Sequence, residues 1–219
     1  MSAALCRSVT IVVATLLAVC APRSATAQAG STAPPSQQDE HRVAETVKFL
    51  AGGAFGLVMH ESGHLVFDVA FDADARIEPV HFGPFPFFAI AHRADLSPRR
   101  ELTISSAGFW VQEASSEWLL TTRPNLHNEK APLVKGMLAF NVLNAVGYGL
   151  VAFARAGPHE RDTRGMADAS RVDERAIAAI VITPAFLDGY RYFRPESKWA
   201  KWASRAAKAG SVLLLLRGT

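Results

Sequence analysis

The chain has 219 residues, a formal net charge of +3 at neutral pH and 49% hydrophobic residues. This length allows one domain with a substantial core but not two full domains. The basic residues are scattered rather than clustered, so the sequence shows no nucleic-acid-binding surface and we expect no nucleic-acid partner. Basic residues beside apolar segments are equally compatible with a membrane surface.

The first 27 residues have the composition of a secretory signal peptide. Arg7 precedes an apolar run over residues 9–21, and residues 25–27 (Ala-Thr-Ala) have the small side chains of a cleavage site. An uncleaved signal anchor is the alternative interpretation. Both cysteines, Cys6 and Cys20, lie in this segment, so the remaining chain has no cysteine for disulfides or thiolate metal ligands.

Residues 28–45 are rich in small, polar and proline residues and are predicted to form a disordered linker. The rest of the chain, residues 46–219, is predicted to be a mainly α-helical membrane domain with about four to five spans. Its apolar segments are residues 46–70, 103–120, 133–154, 175–193 and the shorter 203–216. We therefore expect an integral, multi-pass protein of a bacterial inner membrane, with the lipid bilayer as a partner.

The segment between the first two apolar stretches has a different pattern. Residues 77–82 partly alternate between apolar and polar side chains, and Gly83-Pro84 interrupts the run before a second apolar stretch. This pattern predicts a short β-hairpin or extended ribbon between the first two spans.

The strongest chemical signal is the pentapeptide from His60 to His64, with Glu61 after the first histidine. Two histidines four residues apart project from the same face of a helix, where both imidazoles can bind one tetrahedral zinc ion. The intervening glutamate is then placed to act as a general base on water. The alternative interpretation is a pair of buried histidines that hydrogen-bond to neighbouring carbonyl groups.

Two histidines leave the third zinc ligand to be found, and two acidic residues are candidates. Glu113 lies in a helical stretch similar to the ligand helix of gluzincins, and Asp188 lies in Leu187-Asp188-Gly189 of the fourth apolar segment. Sequence spacing does not choose between them, because either helix could pack against the first.

Four features, in this order, resemble the site-2 protease group (M50-like) of intramembrane zinc metalloproteases. They are the histidine motif in a glycine-rich apolar helix, the ribbon with Phe82-Gly83-Pro84, residues 96–101 running into Ser106-Ala107-Gly108, and the helix with Pro184 and Leu187-Asp188-Gly189. The resemblance covers roughly residues 50–193. It implies that Asp188 is the third zinc ligand.

The same resemblance assigns substrate-positioning roles to Gly108 and Gln112. The family pattern Ala-Gly-Pro-x-x-Asn corresponds here to residues 107–112, where Phe109 replaces the proline and Gln112 replaces the asparagine. With these two departures, the sequence resembles a divergent relative of this group rather than a close member.

The expected function is that of a zinc-dependent intramembrane peptidase acting on membrane-associated protein or peptide substrates. In this interpretation His60, His64 and Asp188 bind zinc, and Glu61 activates the attacking water. The departures from the family pattern leave a second hypothesis open, a membrane scaffold or chaperone-like protein that binds zinc without proteolysis. A third hypothesis is a gluzincin-like enzyme with Glu113 as the third ligand.

Overall fold

The computed structural model describes residues 37–82 and 85–217, so the predicted signal segment and most of the predicted linker lie outside the described residues. The chain divides into two compact units, residues 1–44 and 45–219. In the first unit the structure describes residues 37–44, which are helical.

The described residues form six α-helices, one 3₁₀ turn and a two-stranded antiparallel sheet. In chain order these are α1 (Gln37–Ala70), β1 (Arg76–Phe82), β2 (Phe85–Ala91), α2 (Pro98–Thr122), the 3₁₀ turn Leu126–Asn128, α3 (Pro132–Ala154), α4 (Asp162–Ser170), α5 (Glu174–Phe193) and α6 (Lys198–Arg217). The mainly α-helical fold and the ribbon after the first helix are confirmed.

Helix α1 begins earlier than expected. The linker was predicted to extend over residues 28–45, but the helix starts at Gln37. Residues 37–42 are mostly good helix formers, and Asp39 and Glu40 in the first turn interact favourably with the helix dipole. The prediction of disorder was therefore wrong from residue 37 onward.

One face of α1 is buried and carries small and polar residues at intervals of three or four. These are Gly52, Gly56, His60, Gly63, His64 and Asp68. A Cβ added at Gly52 would lie 1.9 Å from the Leu133 carbonyl oxygen on α3, and one at Gly63 would lie 2.7 Å from the Ala107 carbonyl oxygen on α2. The glycines therefore let the backbone of α1 lie in contact with the backbones of α2 and α3.

The ends of the other helices have clear local causes. Ser97 caps α2 by accepting a hydrogen bond from the Arg100 amide, and Pro98 occupies the first turn. Asp173 caps α5 in the same way through the amide of Arg175. The β-ribbon pairs Arg76 with Ala91, as an antiparallel hairpin does.

The core lies between α2, α3, α4 and α5. Its largest cluster of buried apolar residues comprises Leu102, Phe109, Ala145, Met166, Ala167, Ile177, Val181 and Ala185. The short helix α4 is amphipathic, and its Met166 and Ala167 belong to this cluster. This packing holds the start of α4 beside α2.

The structure supports the membrane prediction only at a coarse level. Among the described residues, one helix, α3 (Pro132–Ala154), is long and apolar enough to span a membrane, with a mean hydropathy of 1.6. The other apolar segments of the predicted multi-pass protein do not meet this criterion.

Candidate metal centre

The two histidines of the motif meet on the buried face of α1. His60 is 1% exposed and His64 is 5% exposed, although both side chains are polar. Their Nε2 atoms are 3.2 Å apart. The helical spacing of four residues thus brings the two imidazoles together, as the sequence predicted.

The ring of His64 is oriented by α2. Its Nδ1 lies 2.8 Å from the carbonyl oxygen of Ile104, so Nδ1–H donates this hydrogen bond. In the neutral form of the ring, which is the form that binds a metal, the lone pair is on Nε2, which faces His60. Histidines that bind metals are commonly fixed by such a hydrogen bond from the other ring nitrogen.

The third residue of the cluster is Asp162, the first residue of α4. Its Oδ2 lies 3.1 Å from the Nε2 of His60 and 3.4 Å from the Nε2 of His64. Zinc–ligand bonds of about 2.0–2.1 Å in a tetrahedron place the donor atoms roughly 3.3 Å apart. The three separations therefore fit one zinc ion, and among the described residues this is the one group with such geometry.

A buried ion pair determines where Asp162 lies. Arg161 donates from Nε to Glu174 at 2.9 Å and from Nη1 to the carbonyl oxygen of Pro158 at 2.7 Å. Arg161 and Glu174 are 9% and 4% exposed. The bridge joins the start of α4 to the first turn of α5 and so holds Asp162 in position.

The charge state of Asp162 suits a metal ligand. Burial would raise the pKa of this carboxyl, but the charges and hydrogen bonds of His64 and His60 outweigh burial and hold its pKa below the usual range. The carboxylate therefore stays ionised in the neighbourhood of the two rings. Its side chain is 17% exposed, whereas His60 and His64 are almost fully buried.

Gly108 provides the space that the imidazoles occupy. A Cβ at this position would lie 2.5 Å from the Cε1 of His60 and 2.6 Å from the Nε2 of His64. The sequence analysis assigned Gly108 to substrate positioning. In the structure it lies directly against both rings, where only hydrogen fits.

Two aromatic residues line the same centre. Phe109 lies edge-on to His60, with ring centroids 5.4 Å apart, and Tyr148 of α3 lies 5.3 Å from Phe109. The Tyr148 hydroxyl is close enough to Asp162 to interact with its carboxylate. Tyr148 thus supports the carboxylate of the cluster from the side of α3.

Glu61 follows His60 and is half-buried. Its carboxyl is close enough to interact electrostatically with His60, His64 and Asp162. A carboxylate beside a three-ligand metal centre has the position of a general base for water.

Asp188, the expected third ligand, lies in a different environment. Its carboxylate accepts hydrogen bonds from the Ser204 hydroxyl at 2.7 Å and the Lys208 ammonium at 2.8 Å, with Arg191 at 3.3 Å. The positive charges of Lys208 on α6 and Arg191 on α5 balance the negative charge of this carboxylate. The structure therefore places Asp162, not Asp188, beside the two histidines.

The alternative ligand Glu113 and the proposed positioning residue Gln112 also lie away from the histidines. Glu113 accepts a hydrogen bond from the Ser211 hydroxyl at 3.1 Å. Both residues and Asp188 line one cavity of about 20 Å³ between α2, α3 and α5. Such a volume holds about one water molecule. These three predicted residues thus come together around this cavity.

Sequence reasoning did not identify Asp162 or Tyr148 as site residues. Asp162 lies 98 residues after His64 (162 − 64), in a polar stretch between two apolar segments. The available signal was weak: an acidic residue that opens a short polar helix after Gly157-Pro158. Tyr148 lies within an apolar helix, where an aromatic residue is ordinarily part of the core.

Comparison with protein-family models, with curated proteins and with solved structures gives no match to this chain.

Proposed function

We propose that the chain is a zinc-dependent peptidase that hydrolyses peptide bonds of membrane-associated substrates. The observation that carries the proposal is the His60–His64–Asp162 cluster. Glu61 lies beside this cluster, on the helix α1 that also carries the two histidines. Two imidazoles and one carboxylate form the three-residue ligand set of catalytic rather than structural zinc sites.

The residues around the centre have separate roles in this proposal. His60, His64 and Asp162 hold the metal, while Ile104 and Tyr148 orient His64 and Asp162. Zinc in such a site polarises carbonyl groups and makes water more acidic.

Glu61 takes a proton from the attacking water and delivers it to the nitrogen of the leaving amine. Phe109 and Tyr148 cover the centre on one side and limit access of bulk water.

The proposed site lies in a membrane-bound protein, and the surface composition supports this. Large apolar side chains are exposed on the outer faces of three helices. They include Val47, Leu50, Phe55, Val58, Val66 and Val69 on α1, Leu143 and Leu150 on α3, and Phe186 and Phe193 on α5. Large apolar side chains exposed along three helices are compatible with lipid contact.

Substitution of Glu61 tests the peptidase. The purified Glu61→Gln protein should bind zinc as the wild type does, but should cleave a library of fluorescence-quenched peptides at least about a hundredfold more slowly. Glu196→Gln is the matched control, because it changes an exposed acid that is far from Glu61 in the sequence. Unchanged cleavage by the zinc-loaded Glu61→Gln protein would refute the mechanism.

A second candidate function is a zinc-binding membrane scaffold or chaperone-like protein without proteolysis. It is favoured by the position of Gln112, which is 3% exposed and whose Oε1 accepts a hydrogen bond from Asn144 at 3.4 Å. The side-chain amide of Gln112 is thus buried and bonded to α3. Zinc binding without any cleavage of the peptide library would favour this function.

The membrane assignment needs its own test, because it is independent of the chemistry. After expression in cells, the protein should stay in the membrane fraction through alkaline carbonate washing and be released by detergent. Release by carbonate alone would show that the apolar surface of α1, α3 and α5 contacts another protein or a membrane surface only.

A further inference from the structure

The β-ribbon leaves the helices through a short base. The chain turns sharply after α1 through Asp72 and Asp74, which have left-handed φ values of 52° and 57°. Between them, the amide of Ala73 donates to the carbonyl oxygen of Asp68 at 2.8 Å. The carbonyl oxygen of Ala73 accepts from the amide of Arg93 at 2.9 Å. Both ends of the ribbon are therefore joined at the last turn of α1.

His92, the residue directly after β2, lies between two carboxylates at this base. Its Nε2 is 2.7 Å from Glu101 Oε2 on α2, and its Nδ1 is 3.5 Å from Asp68 Oδ1 on α1. Asp68 is 1% exposed, and neither of its carboxylate oxygens has a hydrogen-bond partner among the described residues. An imidazolium at His92 offsets the cost of that buried charge.

The ionisation of His92 follows from its surroundings. The charged and titratable groups around it are Asp68 and His64 on α1, Glu101 on α2 and Arg93 next to it in the loop. The hydrogen bond to Glu101 raises the pKa of His92, burial opposes this rise, and the charges of Glu101 and Asp68 add to it. The protonated form is thus favoured at the base of the ribbon.

The same two helices form part of the candidate metal centre, because α1 carries His60 and His64 and α2 carries Ile104. Asp68 is one helical turn beyond His64 on the buried face of α1. Glu101 is three residues before Ile104, whose carbonyl group orients His64. The Asp68–His92–Glu101 bridge, termed here the His92 bridge, therefore ties the ribbon to the framework of the candidate metal centre.

We propose that His92 is a positioning residue that fixes the base of the ribbon against α1 and α2. By fixing the ribbon, His92 sets where an extended peptide that pairs with the ribbon lies relative to the metal. The inference rests on the proposed peptidase function. Extended peptides bind proteins by adding a strand to an exposed sheet edge, and a two-stranded ribbon has such edges. Ile77 in β1 is 75% exposed, so its side chain contributes little to holding the ribbon.

The experiment compares His92→Gln and Glu101→Gln with the control His81→Gln, a change at an exposed histidine within β1. Amide hydrogen exchange reports the protection of residues 76–82 and 85–91, and zinc content is measured in parallel. His92→Gln and Glu101→Gln should lower ribbon protection by about tenfold and leave α2 unchanged. With the fluorescence-quenched peptide library, both should raise KM and leave kcat nearly unchanged. His92→Lys, which keeps a cation, should restore part of the protection.

Equal ribbon protection and equal KM in His92→Gln and His81→Gln would overturn the inference. If His92→Gln fails to fold, Glu101→Gln decides the question, because that change keeps the size of the side chain. If every variant binds zinc but none cleaves the library, the peptidase proposal fails while hydrogen exchange still decides whether the His92 bridge holds the ribbon.

Discussion

The Nδ1 of His64 lies 2.8 Å from the carbonyl oxygen of Ile104. This hydrogen bond connects α1 to α2. It also leaves the Nε2 of His64 directed at His60 and Asp162. A hydrogen bond to main-chain oxygen cannot be removed by a side-chain change at Ile104. Neighbouring side chains that determine the same geometry can be substituted instead.

Gly108 offers the most direct steric test of the centre. The methyl group of Gly108→Ala would lie within 2.6 Å of both imidazoles, so at least one ring must move. We expect zinc affinity to fall by about tenfold or more, since displaced ligands lose metal geometry. Competition with a chromogenic chelator measures this affinity.

Gly147→Ala is the matched control for Gly108→Ala, because a Cβ at Gly147 meets nothing within 4 Å. It should leave zinc affinity unchanged and stabilise the helix by up to about 1 kcal/mol. Equal zinc affinity in the Gly108→Ala protein would show that the rings do not occupy the observed positions.

Tyr148 should contribute to zinc affinity through Asp162. Tyr148→Phe removes the hydroxyl that interacts with this carboxylate and keeps the ring that packs against Phe109. Loss of such an orienting group typically weakens metal binding by about 10–100-fold. Titration of the metal-free protein with zinc checks this, and thermal unfolding of the metal-free protein should change little.

The Arg161–Glu174 pair should be essential for stability. Glu174→Gln leaves a buried guanidinium without its charge partner, which costs about 3–5 kcal/mol in comparable cases. The exposed pair Arg123–Glu129 is the control, and Glu129→Gln should cost less than about 1 kcal/mol. Urea unfolding monitored by circular dichroism distinguishes the two; equal losses would contradict the account of how α4 is held.

The His92 bridge also predicts a pH dependence of stability. The pKa of His92 is raised in the folded chain, mainly by the hydrogen bond to Glu101. A raised pKa means that the contribution to stability is fully present below the unfolded value of about 6.5 and is lost as pH rises through the folded value.

The free energy of unfolding, measured from about pH 5 to pH 9, should therefore decline more steeply for the wild type than for Glu101→Gln. Parallel curves would show that Glu101 does not set the pKa of His92.

The sequence predicted the parts of the site that depend on local geometry. His60, Glu61 and His64 are within five residues of one helix, and helical spacing alone brings the histidines together. The ribbon was equally predictable, because alternation and Gly83-Pro84 are local signals.

The third acid depends on tertiary packing, which the sequence does not encode locally. The resemblance favoured Asp188, but that carboxylate is bonded to Lys208 and Ser204 of α6. Asp162 lies beside the histidines instead. Asp162 reaches the site because the Arg161–Glu174 pair and the apolar side of α4 fix its position. Neither feature forms a recognisable motif.

The central claim is that His60, His64 and Asp162 form one zinc site, and zinc content of purified variants tests it most directly. The account predicts about one zinc per chain in the wild type and in Asp188→Asn, and a large loss in Asp162→Asn. Circular dichroism should confirm that both variants fold. Retention of zinc by Asp162→Asn together with its loss from Asp188→Asn would contradict the account.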